Sequence, residues 1–374
     1  MLRNVLLTIQ TLLMTAFIFH AGLTNSFEFN NKAEKSSYDY GAILQYHHVN
    51  TGTPAVTSIS PDLFKQHLNL IESEGFSVLP LDSMIQSIKL GIPFKNKTLA
   101  ITFDDNYRSI YDNAFPLLKE KNWPFTIFIN PKTIRSNDHS NNTSFTLSWK
   151  QLIEMKKSGA TIANHTQNHW HLLKQDLSES DFSWRQRIQK DIESAQSMLE
   201  KNLGEAPKWV AYPYGEFNTR LKELMANMGY LGFSQQSGGI NQTTNWQSIP
   251  RFPASGIYSN MDTLKTKIHS QPFEIYSESP KNKIRVLGNP APTLELIVNK
   301  DNVIYSQLSC YFEGSKIYTE ITENKQRLVI NAQLEGTLPF GRSRYNCTAP
   351  SNMGHYLWYS MPFITTTLDG KWQD

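Results

Sequence analysis

Cysteine is almost absent from this chain. Cys310 and Cys347 are the only two among 374 residues. That count excludes a disulfide-dense scaffold and any Cys-rich zinc module. An excess of one charge is lacking too: Lys plus Arg is 36, Asp plus Glu is 33, and the net charge is +3. No basic block stands out, so nucleic acid is not the expected partner. Internal repeats are missing. Past residue 25 no apolar run reaches the roughly 20 residues that a membrane span needs. What is present is ordinary for a globular protein: 39% hydrophobic residues, 19 glycines, and aromatics at 12%. Disorder over most of the chain and a collagen-like fold are thereby excluded. Tyr and Trp serve both in cores and in stacking on sugar rings. At roughly 150 residues per domain the length suits about two domains, or one large barrel with an appendage.

Residues 1–25, MLRNVLLTIQTLLMTAFIFHAGLTN, hold the one long apolar run. Arg3 supplies a positive start, and Val5–Phe19 is mostly apolar but interrupted by Thr8, Gln10, Thr11 and Thr15. The run is short for a span, so a secretory signal peptide is expected, with an uncleaved N-terminal anchor as the alternative. No small-x-small triplet marks a cleavage site, and no Cys follows the run to carry a lipid. The expected location is exported: periplasmic, cell-surface or extracellular. Export permits a disulfide, for which Cys310 and Cys347 are the available pair; two buried free thiols are the alternative.

From about residue 40 to 270, short apolar runs alternate with amphipathic stretches. Strands are expected at Gly41–Tyr46, Phe76–Leu79, Leu99–Phe103, Phe125–Ile129, Thr161–Ala163, Trp209–Tyr212 and Leu231–Ser234. Helices are expected at Pro61–Glu74, capped by Ser60 and stopped by Gly75, and at Ser109–Lys121. Three more follow: one from Ser148 to near Ser158, then Ser183–Asn202 and Asn218–Met228. Strands separated by helices of 10–15 residues imply βα units and a parallel sheet. At least six units in about 230 residues suggest an α/β barrel. After Gln271 the segments Ile284–Leu287, Leu294–Val298, Val303–Phe312, Leu328–Leu334 and Tyr356–Phe363 are short and β-rich. A C-terminal β-sandwich over 280–374 is expected. The polar stretch Ser136–Ser144 reads as an exposed loop.

The residues suited to chemistry lie where expected strands end, which is where parallel α/β folds build active sites. Thr102-Phe103-Asp104-Asp105 brings two carboxylates out of a buried strand. Such a pair is costly without a cation or hydrogen-bond donors. One can hold a metal while the other stays free as a base. Taken alone, Asp105 could instead cap a helix. Asn164-His165-Thr166-Gln167-Asn168-His169 follows another strand. Two histidines four apart in one helical turn would face the same way and suit a metal; taken alone, they could be surface residues. His171 lies close by. Asp105, His165 and His169 together would leave a coordination position open for water. Ala211-Tyr212-Pro213-Tyr214-Gly215 is a stiff strand-end loop whose N–H groups could face an oxyanion, or an ordinary turn. Trp149, Trp170 and Trp246 read as packing residues at least as readily as sugar platforms.

Together these motifs resemble the polysaccharide deacetylases, the NodB-homology family of carbohydrate esterase family 4, over about residues 40–270. TFDD is similar to that family's first motif, NHTQNH to its second and AYPYG to its third. The resemblance implies a distorted (β/α) barrel and a role for each matching residue. Asp104 would be the catalytic base. Asp105, His165 and His169 would hold a divalent metal, most often zinc. The Tyr214 backbone N–H would help stabilise the oxyanion. Two positions depart from the pattern. The third motif usually opens with an Arg that orients the base; here Ala211 stands there, and Arg251 is the replacement offered from a later strand end. The late Leu-x-His motif is matched only by Lys267-Ile268-His269. The early Gln45-Tyr46-His47-His48-Val49 resembles the Tyr-His-x-Val opening of the poly-N-acetylglucosamine deacetylase branch, which makes His47 the preferred general acid and His269 the alternative. His47 could also be a packed core histidine. His48 is expected on the opposite face of the strand.

The resemblance implies a metal-dependent hydrolase that removes N-acetyl groups from an N-acetylglucosamine polysaccharide or oligosaccharide, with cell-surface association. The alternatives are an O-acetyl glycan esterase and a non-catalytic carbohydrate-binding protein on the same scaffold.

Overall fold

The computed structural model describes residues 38–134, 145–176 and 178–373. The segment read as a signal peptide and the polar loop Ser136–Ser144 lie outside the described residues. Seven strands form the main parallel path: β1 Ala42–Tyr46, β2 Thr98–Asp104, β3 Phe125–Ile129, β4 Ala160–Asn164, β5 Trp209–Ala211, β6 Leu231–Phe233 and β7 Phe252–Pro253. Their order is β7-β1-β2-β3-β4-β5-β6, and Ser77–Val78 pairs with β2 from off the path. A parallel bridge between Phe233 and Ile249, just ahead of β7, ties the two ends together. The sheet therefore curls into the expected barrel. β2 and β3 are buried along their whole length. A strand with helices on one face and the barrel interior on the other is buried on both and reads as a nearly unbroken apolar run, as LAITF and FTIFI do.

Among the described residues, seven α-helices lie between or after the strands: α1 Pro61–Ser73, α2 Leu81–Lys89, α3 Phe115–Glu120, α4 Trp149–Lys157, α5 Asp181–Leu203, α6 Thr219–Asn227 and α7 Met261–His269. Their starts follow local chemistry. Ser60 Oγ accepts the Leu63 N–H at 3.1 Å, and Pro61 occupies the first turn of α1. Ser148 and Gln151 form a reciprocal capping box on α4. Ser180 caps α5, which starts two residues ahead of the expected Ser183.

Sequence reading passed over α2 and α7. In α2, Leu81, Met84, Ile85 and Ile88 are buried at i, i+3, i+4 and i+7, so the helical signal was present in a short segment. The helix expected over Ser109–Lys121 is split. Pro116 has no N–H to give to the fourth residue back, and the chain ahead of it widens into a π-turn, Ile110–Ala114. There the Phe115 N–H donates to Ile110 O, five residues back.

The C-terminal region is all strand apart from a short 3-10 turn, Tyr305–Gln307, among the described residues. Its main strands are β8 Ile275–Ser279, β9 Leu294–Asn299, β10 Ser309–Phe312, β11 Tyr318–Asn324, β12 Arg327–Gln333, β13 Gly341–Pro350 and β14 Tyr356–Thr366. One sheet runs β8-β9-β12-β11, and the other places β13 between β10 and β14. Leu294, Leu296, Val298, Leu328 and Ile330 of the first share a buried core with Cys310, Tyr345, Cys347, Met361 and Phe363 of the second. β8, β11 and β13 escaped the sequence reading because half or more of their residues are polar and lie at least partly exposed. No helix of the described residues is long and apolar enough to cross a membrane.

Cys310 and Cys347 are register partners on β10 and β13 and are disulfide-bonded, 37 residues apart in sequence. Replacing both by Ser is expected to cost about 2–4 kcal/mol of stability, read as a lower urea midpoint.

Candidate active site

Most residues of the site stand at or just past the C-terminal end of a barrel strand. Asp104 ends β2 and Asp105 follows it; His165 follows β4; Tyr214 follows β5; Arg251 precedes β7; Gln45 lies in β1 and His47 just after it.

Asp104 is fully buried and fully partnered. Arg251 Nη1 donates to Oδ1 at 2.6 Å and Nη2 to Oδ2 at 2.7 Å. Gln45 Nε2 donates to Oδ2 at 2.6 Å. The guanidinium is held in turn by Ser234 O at 3.0 Å and Thr102 Oγ1 at 3.3 Å. Burial pushes the Asp104 pKa up, but Arg251, with His165 and His47 nearby, outweighs it and holds the carboxyl below its ordinary range. The carboxylate is thus ionised and fixed in orientation. The contact of Gln45 with Asp104 spans 59 residues and leaves no local signal in the sequence.

Asp105 has φ +66°, a left-handed conformation that short polar residues tolerate best. One oxygen, Oδ1, lies 3.4 Å from His165 Nε2 and 3.6 Å from His169 Nε2. These separations are too long for good hydrogen bonds. They match the edges of a tetrahedron of ligands around one ion, about 3.3–3.5 Å for bonds of about 2.0–2.1 Å. One ligand atom from each of the three residues lies within 4.8 Å of the others. His165 Nδ1 is 2.8 Å from Ala211 O. A carbonyl only accepts, so Nδ1 carries the proton and Nε2 turns its lone pair to the site. Burial opposes charge on His165, but Asp105 and Asp104 outweigh it and raise the pKa. Burial and His165 together lower His169 to about 4. Donor set and spacing fit a divalent cation.

The two imidazoles do not share a helical turn, contrary to the sequence expectation. Residues 165–170 form a loop with left-handed Thr166 (φ +69°) and His169 (φ +53°). Three side chains hold this shape. Asn164 Oδ1 accepts the Thr166 N–H at 2.7 Å, and Thr166 Oγ1 accepts the His169 N–H at 3.0 Å. Asp191 of α5 accepts the Gln167 N–H at 3.2 Å and the Asn168 side-chain amide. Asp191 went unnoticed in the sequence, where its signal is an acid on the buried face of an amphipathic helix.

His47 is half-buried, and its charged neighbours are Asp104, Asp105, Arg251 and His165. Burial lowers its pKa against the pull of the two carboxylates. His48 instead stacks on Tyr107, centroids 3.4 Å apart. His269 ends α7 and bonds Glu74 Oε2 at 2.9 Å, at the C-terminal end of α1. Helix C-termini in a βα barrel lie at the face opposite the strand C-termini, so His269 is remote from the other candidates.

Tyr214 has φ +61° and Gly215 φ +73°. The first costs roughly 1–2 kcal/mol for a residue with a Cβ. The second position requires glycine, because a Cβ there would lie 2.5 Å from Gln235 Cβ. The Tyr214 ring meets His169 edge-on at 4.9 Å and stacks on His171 at 4.1 Å. His171 belongs to a separate buried pair: its Nδ1 is 2.9 Å from Glu216 Oε2. Trp149 opens α4 and packs against the core; Trp170 and Trp246 carry Arg187 and Lys89 over their rings.

Residues 91–233 match the family described as "Polysaccharide deacetylase". The chain is 32% identical over 201 residues to the poly-beta-1,6-N-acetyl-D-glucosamine N-deacetylase of Staphylococcus epidermidis, covering 53% of this chain and 68% of that protein. It is 30% identical over 196 residues to the protein of the same name from Staphylococcus aureus, covering 52% and 67%. The deacetylase PplD of Streptococcus pyogenes, solved with acetate, shares the fold at TM-score 0.52 and 24% identity, over 61% of this chain and 98% of that one. IcaB from Ammonifex degensii does so at TM-score 0.51 and 23% identity, over 61% and 95%. On these likenesses, and on the strand-end residues described above, the chain belongs to the polysaccharide deacetylase family.

Proposed function

We propose that this protein is an exported, metal-dependent hydrolase that removes N-acetyl groups from an N-acetylglucosamine-containing polysaccharide. The observation that carries the reading is the convergence of Asp105, His165 and His169 beside the buried Asp104–Arg251 pair. The name of the staphylococcal relatives supports the substrate class. The catalytic unit is taken as residues 40–270, with a β-sandwich over 280–374 and a signal peptide or anchor over 1–25.

A divalent cation held by Asp105, His165 and His169, zinc by its preference for such donors, would supply Lewis acidity and a water of lowered pKa. Asp104 accepts the proton of the attacking water, and Arg251 with Gln45 keeps its carboxylate ionised and aimed. The Tyr214 N–H is assigned to the charge developing on the carbonyl oxygen. His47 is assigned the proton delivery to the departing nitrogen. Its lowered pKa leaves it neutral at rest at neutral pH. The proton that Asp104 collects is the one the nitrogen needs, so a transfer from carboxylate through imidazole to nitrogen balances the reaction.

The decisive experiment incubates the purified protein and zinc with a panel of acetylated glycans and measures acetate and free amine. Equal yields of both on a β-1,6-linked N-acetylglucosamine oligomer are expected. Acetate without amine would sink the N-deacetylase reading.

Asp104→Asn is expected to keep bound zinc and lose acetate release by at least about 100-fold; full turnover would remove Asp104 as the base. His165→Ala is expected to lose both zinc and turnover, checked by elemental analysis beside the activity assay.

Arg251→Lys keeps a charge but not the paired hydrogen bonds. Asp104 must be ionised to act, and Arg251 is what holds its pKa down against burial. Weakening that hold raises the pKa, so the acid limb of kcat/KM against pH should move to higher pH. An unmoved limb would contradict the assignment. Arg251→Ala should instead cost about 3–5 kcal/mol of stability by stranding a buried carboxylate.

A further inference from the structure

β13 belongs to the C-terminal sheets, yet it touches the catalytic end of the barrel. Its residues alternate between two faces. Tyr345 and Cys347 point into the sandwich core. Arg342 and Arg344 lie on the other face and reach the barrel. The Arg342 guanidinium sits 4.8 Å from the centre of the Tyr214 ring, and its Nη1 is 3.6 Å from Glu216 Oε1. Arg344 donates to Gln235 O at 3.2 Å and to the Tyr258 hydroxyl at 2.7 Å. Tyr214, Gln235 and Tyr258 follow β5, β6 and β7, three successive strand ends on the site's own face. Trp372 adds a ring contact to His171, 5.3 Å between centroids.

Tyr214 is the residue most in need of such support. It holds a left-handed backbone against its Cβ, and such conformations persist only where the surroundings over-determine them. The ring is gripped by His171 within the barrel and by Arg342 from outside it. A guanidinium over an aromatic face supplies an attraction that offsets part of that strain.

We propose that the C-terminal sheets complete the active site, with Arg342 as the positioning residue that holds the Tyr214 loop in its left-handed form. The effect on turnover rests on the deacetylase reading; the effect on the loop does not. The side chain is 38% exposed, so its removal opens no sealed cavity.

The test uses the full chain, with Arg342→Ala and Arg342→Lys compared to wild type. Amide exchange over residues 212–217 should run about two- to fivefold faster in Arg342→Ala while the rest of the barrel is unchanged. On the glycan oligomer, kcat should fall about two- to fivefold with KM and zinc content held. Arg342→Lys keeps the cation and should recover part of both effects. Wild-type exchange at 212–217 in Arg342→Ala overturns the proposal. So does a uniform acceleration along the chain with a lowered unfolding midpoint, the mark of a purely structural arginine. Exchange needs no turnover: a wild type that releases no acetate would sink the deacetylase reading alone, and the 212–217 rates would still decide the pinning role.

Discussion

The buried pair of Arg251 and Asp104 is the contact on which the site depends. It joins the segment entering β7 to the end of β2 across β1, and Gln45 of β1 closes the gap from between them. Two charges taken out of water gain little net stability unless every lone pair and proton is matched. Here both carboxylate oxygens are met, and the guanidinium also bonds Ser234 and Thr102. The result is a fixed, ionised carboxylate at the floor of the site. Its neighbour Asp105 is then free to turn toward the two imidazoles.

Backbone strain concentrates around the same place. Asp105, Thr166, His169 and Tyr214 all have positive φ without being glycine. Each sits in a loop that follows a barrel strand, where the chain turns sharply. Thr166 is β-branched and pays most for this shape, and it is anchored on both sides by Asn164 and the His169 N–H. Asp191 supports the same loop from α5. The imidazoles converge because this network bends the loop, so a helix is not required to bring them together.

The strand-end face of the barrel is also held from outside. Helices cover its outside, but the loops after β5, β6 and β7 lean on β13. One strand can serve both structures because its faces alternate: apolar residues into the sandwich, arginines onto the barrel. The disulfide stitches β13 to β10 on its other side.

Patterns carried within a few residues were legible from the start. LAITF followed by two Asp, a strand followed by paired His, and Pro-Tyr-Gly after a strand announced a βα barrel with its chemistry at the strand ends. The polar, alternating strands β11 and β13 were harder, because their burial is set by a partner sheet. The partnership of Gln45, Asp104 and Arg251 was not legible as a contact, since Asp104 and Arg251 lie 147 residues apart. Nor could spacing alone choose between His47 and His269, which are separated by the length of the barrel. Local order determined which residue types arrive at which strand ends. Only the closed barrel decided which of them meet, because contact across a sheet depends on strand order and register, and these emerge when the whole core packs.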